Sequence, residues 1–331
     1  MKKIVLPNSD VKISCLTFGA WAIGGWFWGG TDEKESLKAL ETAIDSGMTT
    51  IDTAPVYGFG KSEEYIGQAI KGKRDKVEIL TKFGLRWDVQ THHMHFKDTE
   101  DNDGNKLSIY RLGTKKSVIQ ECEDCLKRLG TDYIDLFQQH WPDGLTPVEE
   151  TMEALEILKT QGKIRAGGVS NYSADQLAEA DKTFNLSSNQ VPYSMVLRDI
   201  EKDLVPYSIQ NNKAIIVYSP LQRGILTGKV TPGYKFEEGD HRPTTPYYKE
   251  PNLSVINGFL QKIKPIADDK NVTLAQLVIN WTLNQPGISC VLVGARNATQ
   301  VKENIMAEEI TISKIEMNKI NAELNKLQLI L

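Results

Sequence analysis

Short apolar runs separated by longer amphipathic segments set the rhythm of this chain. The runs cover 15–18, 49–51, 77–81, 133–137, 164–169, 188–191, 214–218 and 290–293, eight in all, after an opening pair of short strands around Pro7 to Asp10. Between them the helix signals are legible. Ser173 with Gln176, Thr273 with Gln276, Asn297 with Gln300 and Ser313 with Glu316 have capping-box spacing, and Thr146-Pro147-Val148-Glu149 offers an N-cap, a first-position proline and a capping glutamate. Glycine closes helices at Ser46-Gly47, Leu129-Gly130 and Gln161-Gly162. Eight strands alternating with helices predict a closed parallel barrel, a (β/α)8 TIM barrel with an N-terminal β-hairpin, as a single domain over 1–331.

Connection lengths distinguish the two ends of that barrel. Helix-to-strand links are short, whereas two links after strands are long, from 83 to about 113 and from 221 to about 252. Both rise from the C-terminal rim, where such barrels do their chemistry. Long loops there are expected to act as lids, with a solvated insertion as the alternative for each.

Four polar residues stand where consecutive runs stop: Asp52, with Tyr57 five residues on, then Lys82, then His140. Converging on one rim, they form a proton donor for a carbonyl oxygen. Tyr57 is the expected general acid, with a phenol pKa of about 10 lowered by the Lys82 ammonium. Asp52 keeps that buried ammonium paired, and His140 orients the carbonyl. Taken singly, each has a bland reading as a rim ion pair, a surface ring or a packed histidine; no such account explains the four together. A barrel lyase with Lys82 as Schiff-base nucleophile is the enzymatic rival, disfavoured because a lysine beside Asp52 is charged.

Composition narrows the class. The chain has 331 residues, 40% hydrophobic and 25% charged, enough for one large core without a dividing linker. Its net charge of -4 and lack of a basic run argue against nucleic acid and anionic membrane as partners. Pro7 interrupts the N-terminal sequence before any signal-length apolar stretch, so a cytoplasmic location is expected. Among the four cysteines, Cys122 and Cys125 recur with Val118 and Leu129 at helical spacing, which reads as core packing rather than a zinc or redox pair. The His92-His93-Met94-His95 cluster reads as a flexible solvent loop rather than a metal site.

Together the motifs resemble the aldo-keto reductases, in order and across essentially the whole chain: Asp52-Thr53-Ala54-Pro55-Val56-Tyr57-Gly58, Thr81-Lys82, Gln139-His140-Trp141-Pro142-Asp143, Gly168-Val169-Ser170-Asn171, Asn189-Gln190-Val191-Pro192-Tyr193, and Gly294-Ala295-Arg296 through Glu303-Asn304. Trp21-Ala22-Ile23-Gly24-Gly25 and the segment from Trp28 to Lys34 look most like the bacterial general-stress and inositol-operon reductases. The resemblance implies a catalytic tetrad of Asp52, Tyr57, Lys82 and His140 and an NADP(H) cofactor. It implies that Gly19, Ala20, Trp21 and Asp52 border the cofactor, that Ser170, Asn171 and Gln190 hold the carboxamide, and that Tyr218 stacks on the nicotinamide. Ser219, Pro220, Leu221, Arg223, Gly224 and Leu226 look like the segment over the pyrophosphate. Gly294, Arg296 and Gln300 would lie by the 2'-phosphate, with Glu303 and Asn304 on the adenine. The better-known relatives carry lysine where Gly294 stands and arginine where Gln300 stands, which places the expected NADP preference at the low end.

Trp21, Trp28, Trp87 and Trp141 fall in or beside the rim loops and are expected to form a narrow aromatic wall. The chain ends in one terminal helix without a long extension, so small aldehydes, methylglyoxal or short sugars are the expected substrates. A monomer or weak homo-oligomer is expected. The alternative within this fold is a nicotinamide-binding regulatory subunit resembling the potassium-channel beta subunits, with little turnover.

Overall fold

A computed structural model describes residues 1–236, 240 and 242–331. In chain order, β1 (Lys3–Val5) and β2 (Lys12–Ser14) form an antiparallel hairpin and are followed by β3 (Leu16–Gly19), α1 (Glu33–Asp45), β4 (Thr50–Asp52), α2 (Lys61–Ala69) and β5 (Glu78–Phe83). An excursion then supplies β6 (Leu85–Arg86), β7 (Met94–Glu100) and β8 (Lys106–Arg111) before α3 (Lys115–Leu129) and β9 (Ile134–Gln139). The rest alternates α4 (Val148–Thr160), β10 (Ile164–Ser170), α5 (Ala174–Asp181), β11 (Ser188–Pro192), α6 (Leu204–Gln210) and β12 (Ala214–Tyr218). It closes with α7 (Asn252–Asp269), α8 (Leu274–Leu283), β13 (Ile288–Gly294), α9 (Ala298–Ile305) and α10 (Lys314–Leu324).

All eight predicted runs become barrel strands, paired parallel in the closed order β10-β11-β12-β13-β3-β4-β5-β9. Their inward side chains, among them Leu80, Leu136, Ala166, Ile216 and Leu292, pack on Leu6, Val11 and Ile13 of the hairpin, which plugs the N-terminal end. Burial from both faces explains why the runs read as continuously apolar. Cys122 and Cys125 are free and buried in the helix–barrel core, as their spacing predicts. Ser173, Thr273 and Ser313 close full capping boxes. At α9 the box is split: Asn297 caps Gln300, but the Gln300 side chain accepts from the Arg296 N–H. Nor does Thr146 cap α4. The helix starts after Pro147, while Thr146 donates back to the carboxylate of Asp143.

The excursion corrects the sequence reading. Of the stretch 92–95 only Met94 and His95 leave the expected loop, entering β7, which with β8 and β6 forms a three-stranded antiparallel sheet in the order β6-β8-β7. The sheet escapes detection because β7 is a solvent-facing edge with mostly exposed residues, so its alternation has little hydrophobic contrast. It leans across the rim: Asn102 Nδ2 donates to the Gly24 carbonyl at 2.8 Å and Trp26 Nε1 to Thr99 Oγ1 at 2.9 Å. The second long connection, from 221 to about 252, contains short 3-10 turns at Gln222–Thr227, Arg242–Thr244 and Pro246–Tyr248. Residues 237–239 and 241 of that expected lid lie outside the described residues.

Glu121 of α3 roots the excursion, accepting from the Gly84 N–H at 2.8 Å and from Ser117 Oγ at 3.0 Å. Burial pushes its carboxyl up from 4.5 to about 7, only partly countered by Arg86. A carboxyl raised on folding stabilises most below its unfolded pKa, and that contribution is lost as pH climbs through the folded value. In thermal melts between about pH 5 and 8, the parent should lose stability relative to Glu121→Gln as pH rises. Parallel curves would show that the carboxyl does not titrate in that window.

Candidate active site

Where β4 and β5 end side by side, Asp52 and Lys82 meet beneath the rim. Lys82, with no exposed surface, donates from Nζ to Asp52 Oδ1 at 2.6 Å and to the Thr53 carbonyl at 2.8 Å. Its third neighbour is the Tyr57 hydroxyl at 3.5 Å. The other carboxylate oxygen accepts from Gln190 Nε2 at 2.7 Å, reaching across the barrel from β11. Burial raises the pKa of Asp52 and lowers that of Lys82, and each charge offsets the penalty on the other.

Tyr57 is held over this pair by a close backbone approach. A Cβ on Gly24 would lie 2.7 Å from the Tyr57 carbonyl, and one on Gly58, at φ +66°, only 2.0 Å from the Gly24 carbonyl. Glycine at both places lets the segment carrying Trp21 sit against the tyrosine turn. The His140 ring stands edge-on to Tyr57 with centroids 5.9 Å apart. Its backbone is pinned by the Phe83 carbonyl at 2.9 Å and by Asn171 Nδ2 at 3.0 Å. Burial, followed by the Lys82 charge, holds the imidazole well below its ordinary 6.5.

The phenol departs from expectation in direction. Burial, followed by the charge of Asp52, raises Tyr57 well above its ordinary value. Desolvation of the phenolate and repulsion from the Asp52 carboxylate together outweigh the Lys82 ammonium, whose Nζ lies 3.5 Å from the hydroxyl. The resting phenol is therefore protonated, the state a proton donor needs.

The expected cofactor residues surround the same rim. Tyr218 donates from its hydroxyl to Asn171 Oδ1 at 2.7 Å, Asn171 Nδ2 contacts Ser170 Oγ at 3.1 Å, and Ser170 Oγ donates to the Gln190 carbonyl at 2.8 Å. Beyond Tyr218 the chain turns through left-handed Ser219 (φ 58°), Gln222 (φ 45°), Arg223 (φ 56°) and Gly224 (φ 103°). The guanidinium of Arg223 arrives 6.0 Å from the Trp21 ring centroid. Tyr248 holds this turn by donating to the Arg223 carbonyl at 2.9 Å.

Gly19 and Gly294 are partners on β3 and β13, and a Cβ on Gly294 would have only the Gly19 carbonyl near it, at 3.9 Å. This open backbone floor, with Arg296 two residues beyond Gly294 and in no ion pair among the described residues, suits the phosphates of a dinucleotide. Arg296 is exposed at the start of α9. Gln300 is committed to the Arg296 N–H and Asn304 Nδ2 to the Gly294 carbonyl at 3.1 Å, while the Glu303 carbonyl accepts from Gln276.

Of the aromatic wall, Trp21 and Trp28 meet edge to face at 5.6 Å and Trp21 tilts toward Tyr57 at 6.2 Å. Trp141 packs on His95 at 5.2 Å, and Trp87 on Phe59 at 5.3 Å. Sequence reasoning missed His95 and Arg111, which border Trp141, as well as Gln139, which accepts from the Tyr172 hydroxyl at 2.5 Å. The alternation of Met94, His95 and Phe96 opposite Ile109 and Tyr110 was the available signal.

Residues 15–325 match the family model described as the aldo/keto reductase family. Aldo-keto reductase YhdN of Bacillus subtilis is 39% identical, covering 97% of this chain and 93% of its own. The NADH-specific methylglyoxal reductase of Escherichia coli is 35% identical and covers 95% of each chain. Among solved structures, the glycerol dehydrogenase of Gluconobacter oxydans superposes with a TM-score of 0.88 at 34% identity, over 98% of this chain and 95% of that one. The chain belongs to the aldo/keto reductase family and is an oxidoreductase acting on carbonyl groups. Its cofactor is a nicotinamide dinucleotide. No helix among the described residues is long and apolar enough to cross a membrane.

His140 should remain neutral from about pH 8 down to about pH 5, because both its burial and the adjacent ammonium oppose a second proton. NMR titration of the assigned imidazole checks this. A protonation step at its ordinary value would contradict the described electrostatics.

Proposed function

We propose that this enzyme reduces small aldehydes and ketones, methylglyoxal and short sugars among them, to alcohols with NADP(H). The observation that carries the reading is the Asp52–Lys82–Tyr57 chain ending in a protonated phenol edge-on to a neutral imidazole. When bound, the reduced nicotinamide supplies the hydride that adds to the carbonyl carbon. Tyr57 gives its proton to the carbonyl oxygen as charge builds there. The Lys82 N–H then faces the new phenolate, which solvent reprotonates, and Asp52 holds the ammonium throughout. Neutral His140 steadies the carbonyl oxygen as a donor.

Asn171, Ser170 and Gln190 offer the amide and hydroxyl groups that suit a carboxamide, once Gln190 and Asn171 exchange part of their present bonding. Arg223 and the left-handed turn suit the pyrophosphate, and Arg296 at the α9 start suits the 2'-phosphate. Small substrates are favoured by the crowding of Trp21, Trp28 and Trp141 about Tyr57 and His140, and the methylglyoxal reductase from Escherichia coli points to the same class.

Tyr57→Phe is expected to cut carbonyl reduction by about a hundred- to ten-thousandfold while cofactor affinity, read by protein fluorescence, stays near the parent's. Turnover within a few-fold of the parent would remove Tyr57 from the mechanism. Arg296→Ala should weaken NADPH binding by about tenfold and leave NADH almost unchanged, with added salt eroding the parent's preference. Equal loss for both dinucleotides would show that Arg296 supports the loop and reads no phosphate.

A further inference from the structure

Nine arginines occur in the chain. Arg74, Arg86, Arg128, Arg165, Arg198 and Arg242 each form an ion pair with a carboxylate. Among the described residues, Arg111, Arg223 and Arg296 do not. Two of these three have an anion assigned above, the pyrophosphate and the 2'-phosphate. Arg111 has none, although it is half-buried, where a cation without an ion-pair partner is costly.

Its contacts tie it to the segment that carries His140. Arg111 ends β8, and its Nη1 donates to the carbonyl of Pro142, two residues after His140, at 3.0 Å. The guanidinium lies 5.0 Å from the centroid of Trp141, whose ring also packs on His95. Arg111 Nε points at His95 Nδ1 at 3.1 Å, and an arginine can only donate. Nδ1 is therefore the acceptor, and the proton of the neutral ring is fixed on Nε2. The Asp143 carboxylate acts on Arg111 at longer range without an ion pair: Oδ2 accepts from the Gly113 N–H at 3.0 Å, and Oδ1 lies 3.5 Å from His93 Nδ1.

We infer that Arg111, with the Nε2–H of His95 and the Trp141 face, forms an anion-reading end of the substrate pocket. It selects carbonyl substrates that bear a carboxylate or phosphate a few atoms from the reacting carbon. The inference rests on the carbonyl-reduction reading for its site but concerns a separate residue set. A planar fork stacked on an indole and backed by a fixed imidazole donor matches such an anion in shape and charge. The excursion sheet supplies two of the three parts, which gives it a role in specificity as well as in covering the rim.

The test compares matched substrate pairs in the intact holoenzyme: 4-oxobutanoate against butanal, and glyceraldehyde 3-phosphate against glyceraldehyde. For at least one pair, kcat/KM should favour the anionic member by about ten- to a hundredfold, chiefly through KM, and the identity of that pair says whether carboxylate or phosphate is read. In Arg111→Met the ratio should collapse toward unity, and Arg111→Lys, which keeps charge but loses the fork, should fall between. Parent ratios near unity for both pairs, or an Arg111→Met ratio equal to the parent's, overturn the proposal. Quenching of tryptophan fluorescence by succinate or inorganic phosphate, in parent but not in Arg111→Met, reads the same site without turnover. Failure of every aldehyde to react therefore counts against carbonyl reduction, and failure of Arg111-dependent quenching counts against this site.

Discussion

The buried ion pair between Lys82 and Asp52 is the constraint around which the rim is organised. Taking two charges out of water is expensive, and the cost is tolerable only when geometry and further hydrogen bonds are complete. Here both conditions are met: one carboxylate oxygen takes the ammonium, the other takes Gln190 from the opposite side of the barrel, and the ammonium finds the Thr53 carbonyl and the Tyr57 hydroxyl. Closure of the sheet is what brings β4, β5 and β11 within reach of one another. The pair thus depends on the barrel, and the tyrosine depends on the pair.

That dependence reshapes the electrostatic account of the proton donor. A lysine beside a phenol lowers its pKa, but here burial of the phenol and the charge of Asp52 outweigh it. Tyr57 therefore rests protonated. His140 is kept neutral by the same burial and the same ammonium. Phenol and imidazole therefore both rest in their neutral forms.

Around this centre the rim is assembled from pieces distant in sequence. The glycines at 24 and 58 allow the Trp21 segment to close on Tyr57, and the excursion sheet braces that segment through Asn102 and Trp26. On the opposite side, Tyr218 and Asn171 lock each other, and Tyr248 secures the left-handed turn that carries Arg223 over Trp21. Six arginines serve carboxylates of the protein itself, while three remain at the rim without one among the described residues.

The eight barrel strands, the capping boxes and the core role of Cys122 and Cys125 were legible in the sequence, because each rests on local spacing and burial from both faces leaves an apolar run. The positions of Asp52, Tyr57, Lys82 and His140 at strand ends were legible for the same reason. The excursion sheet was not: an exposed edge strand carries little hydrophobic contrast, so β7 read as a polar loop and His95 as a solvent residue. Neither Gln190's reach to Asp52 nor the raised pKa of Tyr57 could be read from order along the chain. Those features depend on distances between strands that only barrel closure defines, and on a desolvation that exists only once the core has formed. Local pattern fixed which residues sit at the rim; the tertiary structure alone decided which of them touch and what charge each one holds.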